Sequence, residues 1–286
     1  MLTGVSQLVE TYDGFILDQW GVLHDGVAPY PGAQECVRRL HETGKRIVVL
    51  SNTGQSAGRN LSLMQGMGFD AACFERFVGA GEDARAALAE RREAFHRGLG
   101  RRCYAFTRGG NTSLIEGIGL ELVADLRDAE FLLVIGIDAP PLGVADYEAL
   151  LQAGIARKLP MVCANPDIVR VSPEGTVAAP GALAHRYEQL GGRVFYHGKP
   201  HPAIYGSCLR ALEGCPRERV IAIGDSIEHD VLGAARAGLA CAFIAGGIHA
   251  EALVERWGEL PDAERWRAFS AQAVAKPEYV LPALVW

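Results

Sequence analysis

The chain has 286 residues, of which 49% are hydrophobic and 22% are charged, as is ordinary for a globular protein with an ample core. Its formal net charge of −6 gives no reason to expect nucleic acid or an anionic membrane as a partner. Seven cysteines without a Cys-x-x-Cys pair, no predicted signal peptide and no apolar stretch near the ~20 residues that span a bilayer predict a reduced, cytoplasmic protein.

Short aliphatic runs alternate with amphipathic segments along the chain. The predicted strands are Phe15–Asp18, Arg46–Ser51, Arg102–Thr107, Phe131–Gly136, Pro160–Ala164, Val194–Tyr196, Arg219–Gly224 and Ala240–Ile244. The predicted helices are Gly32–Glu42, Ala57–Met67, Asp83–Arg91, Asp146–Arg157, Ala182–Leu190 and Ile204–Leu212. Near-continuous apolar strands that alternate with helices predict an α/β fold with parallel sheets covered on both faces.

Several of these strands end on residues that can do chemistry. Asp18, Ser51 with Asn52, and Asp225 each follow an aliphatic run, and Asn165 and Lys199 follow two others at a short distance. In open α/β sheets, ligands bind in the crevice at the carboxyl ends of the strands. Because burying such groups inside a strand is costly unless they are paired, their positions predict a functional site.

Other segments are predicted to be structural. The strongly charged stretches 90–102 and 254–267 are expected to be solvated helix faces or linkers. Residues 107–113, "TRGGNTS", lack the spacing of a dinucleotide-binding loop and are predicted to form a turn. His197 and His201 are four residues apart, but the prolines around them argue against a helix and therefore against a zinc pair.

Four segments together supply what phosphoryl transfer through an aspartyl-phosphate needs. They are "FILDQWG" (15–21), "VVLSNTG" (48–54), "FYHGKPHP" (195–202) and "VIAIGDSIEHDVLGA" (220–234). The first offers a carboxylate nucleophile, and the second a hydroxyl and backbone N–H groups that can hold phosphate oxygens. The third offers a lysine that balances charge, and the fourth offers two carboxylates that suit Mg²⁺.

In this order the four segments resemble the motifs of the haloacid dehalogenase superfamily of Mg²⁺-dependent phosphatases. The chain is most similar to the NagD-like subclass, whose large α/β cap is inserted between the second and third motifs. The resemblance covers almost the whole chain. It implies a doubly wound parallel core sheet built from residues 1–81 and 187–286, with an inserted α/β cap at residues 82–186.

The resemblance also implies a metal site with Mg²⁺ as the cofactor. Asp18 would be the nucleophile and a Mg²⁺ ligand, and the backbone carbonyl of Trp20 would be a second ligand. Asp225 would bind the metal, and Asp230 would support it directly or through water.

Further residues are implied to bind the substrate. Ser51 and the backbone of Asn52 would hold the phosphate, and Lys199 would orient it. Asn165 and Asp167, at the end of a cap strand, would help to define the substrate chamber. The implied partner is a small phosphorylated metabolite, and a homodimer would fit the resemblance.

Trp20 departs from the family pattern, which has an aspartate two residues after the nucleophile as general acid and base. An indole N–H is a donor only, so Trp20 cannot do this work, which typically contributes ~10²–10⁴-fold. Three alternatives remain open. Another side chain takes over the work of the missing aspartate, the substrate needs no acid, or the protein binds Mg²⁺ and a phosphorylated ligand with little turnover. The candidate replacements are His24, Asp25, Glu228 and His229.

Overall fold

A computed structural model describes residues 1–172 and 175–286 of the chain. Its strands are β1 (Gly14–Asp18), β2 (Arg46–Ser51), β3 (Arg76–Gly79), β4 (Arg102–Phe106), β5 (Glu121–Leu122), β6 (Phe131–Val134), β7 (Met161–Cys163), β8 (Val169–Ser172), β9 (Gly175–Ala178), β10 (Val194–Tyr196), β11 (Val220–Gly224), β12 (Ala240–Ile244) and β13 (Tyr279–Leu281). Its α-helices are α1 (Ala33–Glu42), α2 (Ala57–Gly66), α3 (Ala80–Glu90), α4 (Ala94–Arg97), α5 (Glu148–Ala156), α6 (Pro180–Gln189), α7 (Pro202–Ala211), α8 (Leu232–Ala237), α9 (Ala250–Leu253) and α10 (Ala263–Ala271). None of the helices in these ranges is long and apolar enough to cross a membrane.

The strands belong to two compact units. The core unit comprises residues 1–51, 57–78 and 199–286, and its sheet has the order β13-β12-β11-β1-β2-β3. The second unit comprises residues 52–56 and 79–198, and its main sheet has the order β10-β7-β6-β4-β5. β1 pairs in parallel with β2 and β11, and β6 pairs in parallel with β4 and β7. These parallel sheets with their helices confirm the predicted α/β class.

The units divide at residues that differ from the predicted boundaries at 81/82 and 186/187. The second unit extends to Gly198 because β10, which the prediction assigned to the core, pairs in parallel with β7. Periodicity cannot reveal this difference, since a short strand has the same pattern in either sheet. The second unit also includes the short segment 52–56, directly after β2.

The core sheet aligns the strand ends that carry the predicted site. Every residue of β1 and β11 is buried, which explains why both strands read as continuous apolar runs. Asp18 pairs with Leu50 of β2, and Leu17 pairs with Ile223 of β11. The carboxyl ends of these three neighbouring strands therefore lie at the same level along the edge of the sheet.

In the second unit, a buried histidine pair shows that the prediction of a solvated segment at 90–102 is wrong at His96. This residue lies in α4 and is fully buried, with its ring 4.6 Å from that of Phe195. Its Nε2 lies 3.1 Å from Nε2 of His197, which is also fully buried. The charged residues around His96 concealed its burial from a reading based on composition.

Charged groups flank this histidine pair on both sides. Asp83 Oδ2 lies 2.7 Å from His197 Nδ1, and Glu93 Oε2 lies 2.7 Å from His96 Nδ1. Arg92 lies 3.3 Å from the other oxygen of Asp83. Burial, and next the neighbouring His197, lower the pKa of His96 from 6.5 to about 4, although the two carboxylates oppose this shift.

The stability of the protein should therefore depend on His96 in mildly acidic solution. Between pH 6.5 and about 4, the unfolded chain binds a proton at position 96 that the folded protein does not bind, so the free energy of unfolding falls as the pH falls. Thermal unfolding at pH 7 and pH 5 should show a larger loss of Tm for the wild type than for His96→Gln, which keeps a polar atom toward His197. Equal losses in the two proteins would contradict this.

Candidate active site

The edge of the core sheet brings three carboxylates together. Asp18 is the last residue of β1, Asp225 directly follows β11, and Asp230 lies in a π-helical turn, Ile227–Val231, that leads into α8. All three side chains are buried, and each contributes an oxygen that lies within 4.8 Å of the other two. The structure thus places together the three acidic residues that the sequence pattern singled out.

Lys199 joins two of these carboxylates. Its Nζ lies 2.6 Å from Asp18 Oδ1 and 2.7 Å from Asp230 Oδ1, and its side chain is buried. In the described ranges, Lys199 is the one cationic side chain in an ion pair with any of the three carboxylates. Three carboxylates against one ammonium leave two negative charges without a partner charge.

Burial, and after it the charges of the neighbouring carboxylates, raise the pKa values of two of the carboxyl groups. Burial raises the pKa of Asp18 well above its usual value; Lys199 opposes this, and the charges of Asp230 and Asp225 add to it. Burial, and next the charge of Asp230, raise the pKa of Asp225 to about 7. A divalent cation would neutralise both excess charges, and oxygen ligands are those that Mg²⁺ and Ca²⁺ prefer. The donor set therefore fits such an ion.

Two glycines let the backbone approach Asp225 closely. A Cβ on Gly21, which has φ +81°, or on Gly247 would overlap the Asp225 side chain. The next residue, Ile248, donates its backbone N–H to Asp225 Oδ2 at 2.7 Å. Sequence reasoning missed this loop, although the pair Gly246-Gly247 shortly after β12 is a signal of close backbone approach.

Backbone N–H groups also hold the other two carboxylates. Gln19 donates its N–H to Asp18 Oδ1 at 2.7 Å, and Ser226 donates its N–H to Asp230 Oδ2 at 3.1 Å. The Gln19 side chain is fully buried and donates to Asn60 of α2 at 3.3 Å. Gln19 is a second residue that the sequence reasoning did not consider.

The remaining predicted site residues fall into both units. Ser51, the last residue of β2, is buried in the core unit, one position beyond the partner of Asp18 in the register. Asn52 belongs to the second unit, where its Nδ2 donates to Asp167 Oδ1 at 2.8 Å. Asp167 in turn donates its backbone N–H to Asn165 Oδ1 at 2.9 Å, which forms a turn after β7.

Trp20 is half exposed, at 50%. Its ring lies edge-on to His24, with 5.2 Å between the ring centroids, and it packs so closely on Gly26 that a Cβ there would overlap it. Both of these neighbours lie in the loop after β1 and hold the indole in place.

The four candidate replacements for the acid have other partners. His24 is fully buried, accepts the Gly26 N–H at Nδ1, and has its pKa lowered by burial. The backbone N–H groups of Val27 and Ala28 donate to Asp25 Oδ1 and lower the pKa of Asp25.

The other two candidates lie near the fourth motif. Glu228 Oε2 lies 3.8 Å from His249 Nε2, and His229 Nδ1 lies 3.2 Å from Ser226 Oγ. Across residues 1–172 and 175–286, no hydrogen bond or ion pair joins any of the four candidates to Asp18.

Two family models match the chain. One, described as haloacid dehalogenase-like hydrolase, matches residues 15–121, and a related hydrolase-like model matches residues 196–265. Among curated proteins, dihydroxyacetone phosphatase of Corynebacterium glutamicum is 26% identical over 85% of this chain and 84% of its own length. Ribonucleotide monophosphatase NagD of Escherichia coli K12 is 28% identical over 83% of this chain and 89% of its own length.

Solved structures agree with this similarity. A haloacid dehalogenase-like hydrolase from Brucella suis is 31% identical, with a TM-score of 0.80 and complete coverage of both chains. Glycerol phosphate phosphatase from Mycobacterium tuberculosis, in complex with magnesium, has a TM-score of 0.71 at 21% identity, over 96% of this chain and 76% of that one. The same enzyme has also been solved with calcium.

The close approach at Gly247 should be necessary for cation binding. In Gly247→Ala the added methyl group overlaps Asp225 and must displace its carboxylate or the loop that donates to it. A cation that binds only the folded protein raises Tm, and the rise at a given concentration is larger when the cation binds more tightly. We expect MgCl₂ to raise the Tm of the wild type, relative to EDTA, and to raise that of Gly247→Ala much less.

The matched control is Gly66→Ala, at the end of α2, where a methyl group meets nothing within 4 Å. Its shift with MgCl₂ should equal that of the wild type. A full shift in Gly247→Ala would show that Asp225 does not take part in cation binding.

Proposed function

Because the chain belongs to the haloacid dehalogenase-like hydrolase family, in its NagD-like subclass, we propose that it is a Mg²⁺-dependent phosphatase of a small phosphorylated metabolite that acts through an aspartyl-phosphate at Asp18. The general activity, hydrolysis, follows from membership of this family of hydrolases. The observation that supports the rest is the buried group of Asp18, Asp225, Asp230 and Lys199, with two excess negative charges.

Asp18 is well placed to act as a nucleophile. Its Oδ1 accepts from Lys199 Nζ and from the Gln19 N–H, whereas Oδ2 receives neither of these bonds. Oδ2 would attack phosphorus, and the bond from phosphorus to the leaving oxygen would break, with the electron pair going to that oxygen. Water would then attack the phosphorus of the aspartyl-phosphate and release inorganic phosphate and the Asp18 carboxylate.

Four groups would hold the cation, namely the carboxylates of Asp18, Asp225 and Asp230 and the backbone carbonyl of Trp20. Bound there, Mg²⁺ would neutralise charge on the carboxylates and the transferring phosphoryl group. Lys199 bridges Asp18 and Asp230. Its positive charge offsets the repulsion between the two carboxylates and holds both in place.

The phosphate-binding roles follow from the resemblance to the family. We propose that the Ser51 hydroxyl, the Asn52 backbone and the Lys199 ammonium bind phosphate oxygens. We propose a role in substrate selection for Asn165 and Asp167. The relatives that act on dihydroxyacetone phosphate or glycerol phosphate make small phosphorylated metabolites the first substrates to test.

A second candidate function has one observation in its favour, which is Trp20. Without an acid at this position, the protein could bind Mg²⁺ and a phosphorylated ligand as a sensor with little turnover. A sensor would be stabilised by its ligand without releasing phosphate, whereas an enzyme releases phosphate repeatedly.

Phosphate release with Mg²⁺ distinguishes the two functions. The panel comprises p-nitrophenyl phosphate, acetyl phosphate, dihydroxyacetone phosphate, glycerol 3-phosphate and sugar phosphates. The wild type should release more than one phosphate per protein molecule from at least one of them. In Asp18→Asn the nucleophile is lost, and kcat should fall by a factor that reaches about 10⁶ in other hydrolases with covalent catalysis.

The control is Asp128→Asn, an exposed aspartate of the second unit, which should retain wild-type turnover. Turnover that persists in Asp18→Asn would refute the aspartyl-phosphate. No turnover on any substrate, together with a higher Tm in the presence of a phosphorylated compound, would favour the sensor.

A further inference from the structure

The position two residues after the nucleophile cannot supply a proton to a leaving group. Trp20 has a single N–H donor, which does not ionise in the pH range of enzymes. When the phosphate ester of an ordinary alcohol is cleaved, the alcohol leaves as an unstable alkoxide unless an acid protonates its oxygen. A phenol or a carboxylic acid leaves as a stable anion and needs no acid.

In the described part of the chain, none of the four candidate replacements has a hydrogen bond or ion pair with Asp18, and the surroundings of His24 and Asp25 also argue against an acid role. His24 accepts a hydrogen bond at Nδ1, so its neutral ring carries the proton on Nε2, which is buried without a partner. Asp25 is held as a carboxylate by two backbone N–H groups and has no proton to give.

Exposed apolar and aromatic side chains lie close to Asp18 in the sequence or interact with Asp225 in the core unit. Trp20 is 50% exposed two residues from the nucleophile, and Ile248, whose N–H donates to Asp225, is 73% exposed. Tyr30 interacts electrostatically with Asp225. Its ring stacks on that of Trp257, with 6.2 Å between the ring centroids and 6° between the ring planes. We call Trp20, Tyr30, Ile248 and Trp257 the apolar rim.

Contacts within the core unit hold two members of the apolar rim in place. His24 and Gly26 hold the indole of Trp20, and Trp257 packs against Gly246, one residue before the glycine that contacts Asp225. Exposed apolar surface of this kind next to charged groups is typical of a ligand-binding site. A flat, apolar substituent on the phosphate would stack on such a surface, whereas a polyol would not.

We propose that the preferred substrates are phosphate esters of phenol-like, aromatic hydroxyls, which leave as anions and stack on Trp20. This inference rests on the proposed function and adds a substrate class to it. Asp18 Oδ2 forms the bond to phosphorus, the bond from phosphorus to the aryl oxygen breaks, and the phenolate leaves with the electron pair. The phenolate then takes a proton from solvent water.

The same reasoning covers the second step. Water attacks the phosphorus, its proton passes to a phosphate oxygen or to solvent, and the Asp18 carboxylate leaves with the electron pair. A carboxylate is a good leaving group, but Trp20 cannot activate the attacking water as a general base. This step therefore limits kcat, and release of the first phenolate precedes it as a burst of one per active site.

The test is a series of substituted phenyl phosphates whose phenols differ in acidity, with glycerol 3-phosphate as an alkyl phosphate. For the wild type, kcat/KM should fall steeply as the phenol becomes less acidic, and it should be lowest for the alkyl phosphate. Trp20→Asp supplies an acid, so the ratio of kcat/KM between p-nitrophenyl phosphate and glycerol 3-phosphate should fall by about 10²–10⁴-fold.

A second comparison isolates stacking from acidity. Benzoyl phosphate and acetyl phosphate both release a carboxylate, but benzoyl phosphate alone carries a ring. Trp20→Ala should raise the ratio of KM for benzoyl phosphate to KM for acetyl phosphate, and Trp20→Phe should restore most of the wild-type ratio. Equal effects on both substrates would overturn the stacking role.

The outcomes separate this inference from the function on which it rests. If the wild type hydrolyses glycerol 3-phosphate as efficiently as p-nitrophenyl phosphate, the inference is wrong and the phosphatase stands. If the wild type hydrolyses none of these compounds, both are wrong. A steep dependence on leaving-group acidity in the wild type supports the inference even if Trp20→Asp does not fold.

Discussion

A buried charge imbalance governs the edge of the core sheet. Asp18, Asp225 and Asp230 each have a carboxylate oxygen within 4.8 Å of the other two, and in the described part of the chain the one cation in an ion pair with any of them is Lys199. Burying charge is costly unless it is paired, so such a cluster persists when backbone donors and a cation offset the repulsion. The N–H groups of Gln19, Ser226 and Ile248 supply the donors, and Lys199 supplies part of the charge.

Much of this site could be predicted from the sequence because Asp18 ends, and Asp225 directly follows, a strand whose residues are all buried. Such strands read as unbroken apolar runs, and their carboxyl ends meet at one edge in a parallel sheet. The loop at Gly247 could not be predicted with the same certainty, because its contact with Asp225 depends on how the chain returns after β12. The pairing of His96 with His197 joins residues far apart in the sequence and lies in a segment whose charge suggested exposure.

The unit boundary and Trp20 illustrate different limits of sequence patterns. β10 has the composition of a strand of either sheet, and its pairing with β7 decides which unit it joins. The sequence shows that Trp20 departs from the family pattern, but its half-exposed ring and its contacts with His24 and Gly26 depend on how the loop after β1 folds. The family therefore fixes the scaffold and the class of reaction, while a single side chain beside the nucleophile alters which leaving groups the reaction can serve.

The central claim is that a phosphoryl group is carried by Asp18, and chemical trapping tests it most directly. The protein would be mixed with Mg²⁺ and p-nitrophenyl phosphate, quenched, and reduced with borohydride, which converts an aspartyl-phosphate to homoserine. Mass spectrometry of the peptide that contains β1 should find homoserine at position 18, in an amount that falls when the phosphate ester is omitted. Release of phosphate without homoserine at position 18, or with homoserine at another aspartate, would contradict the account.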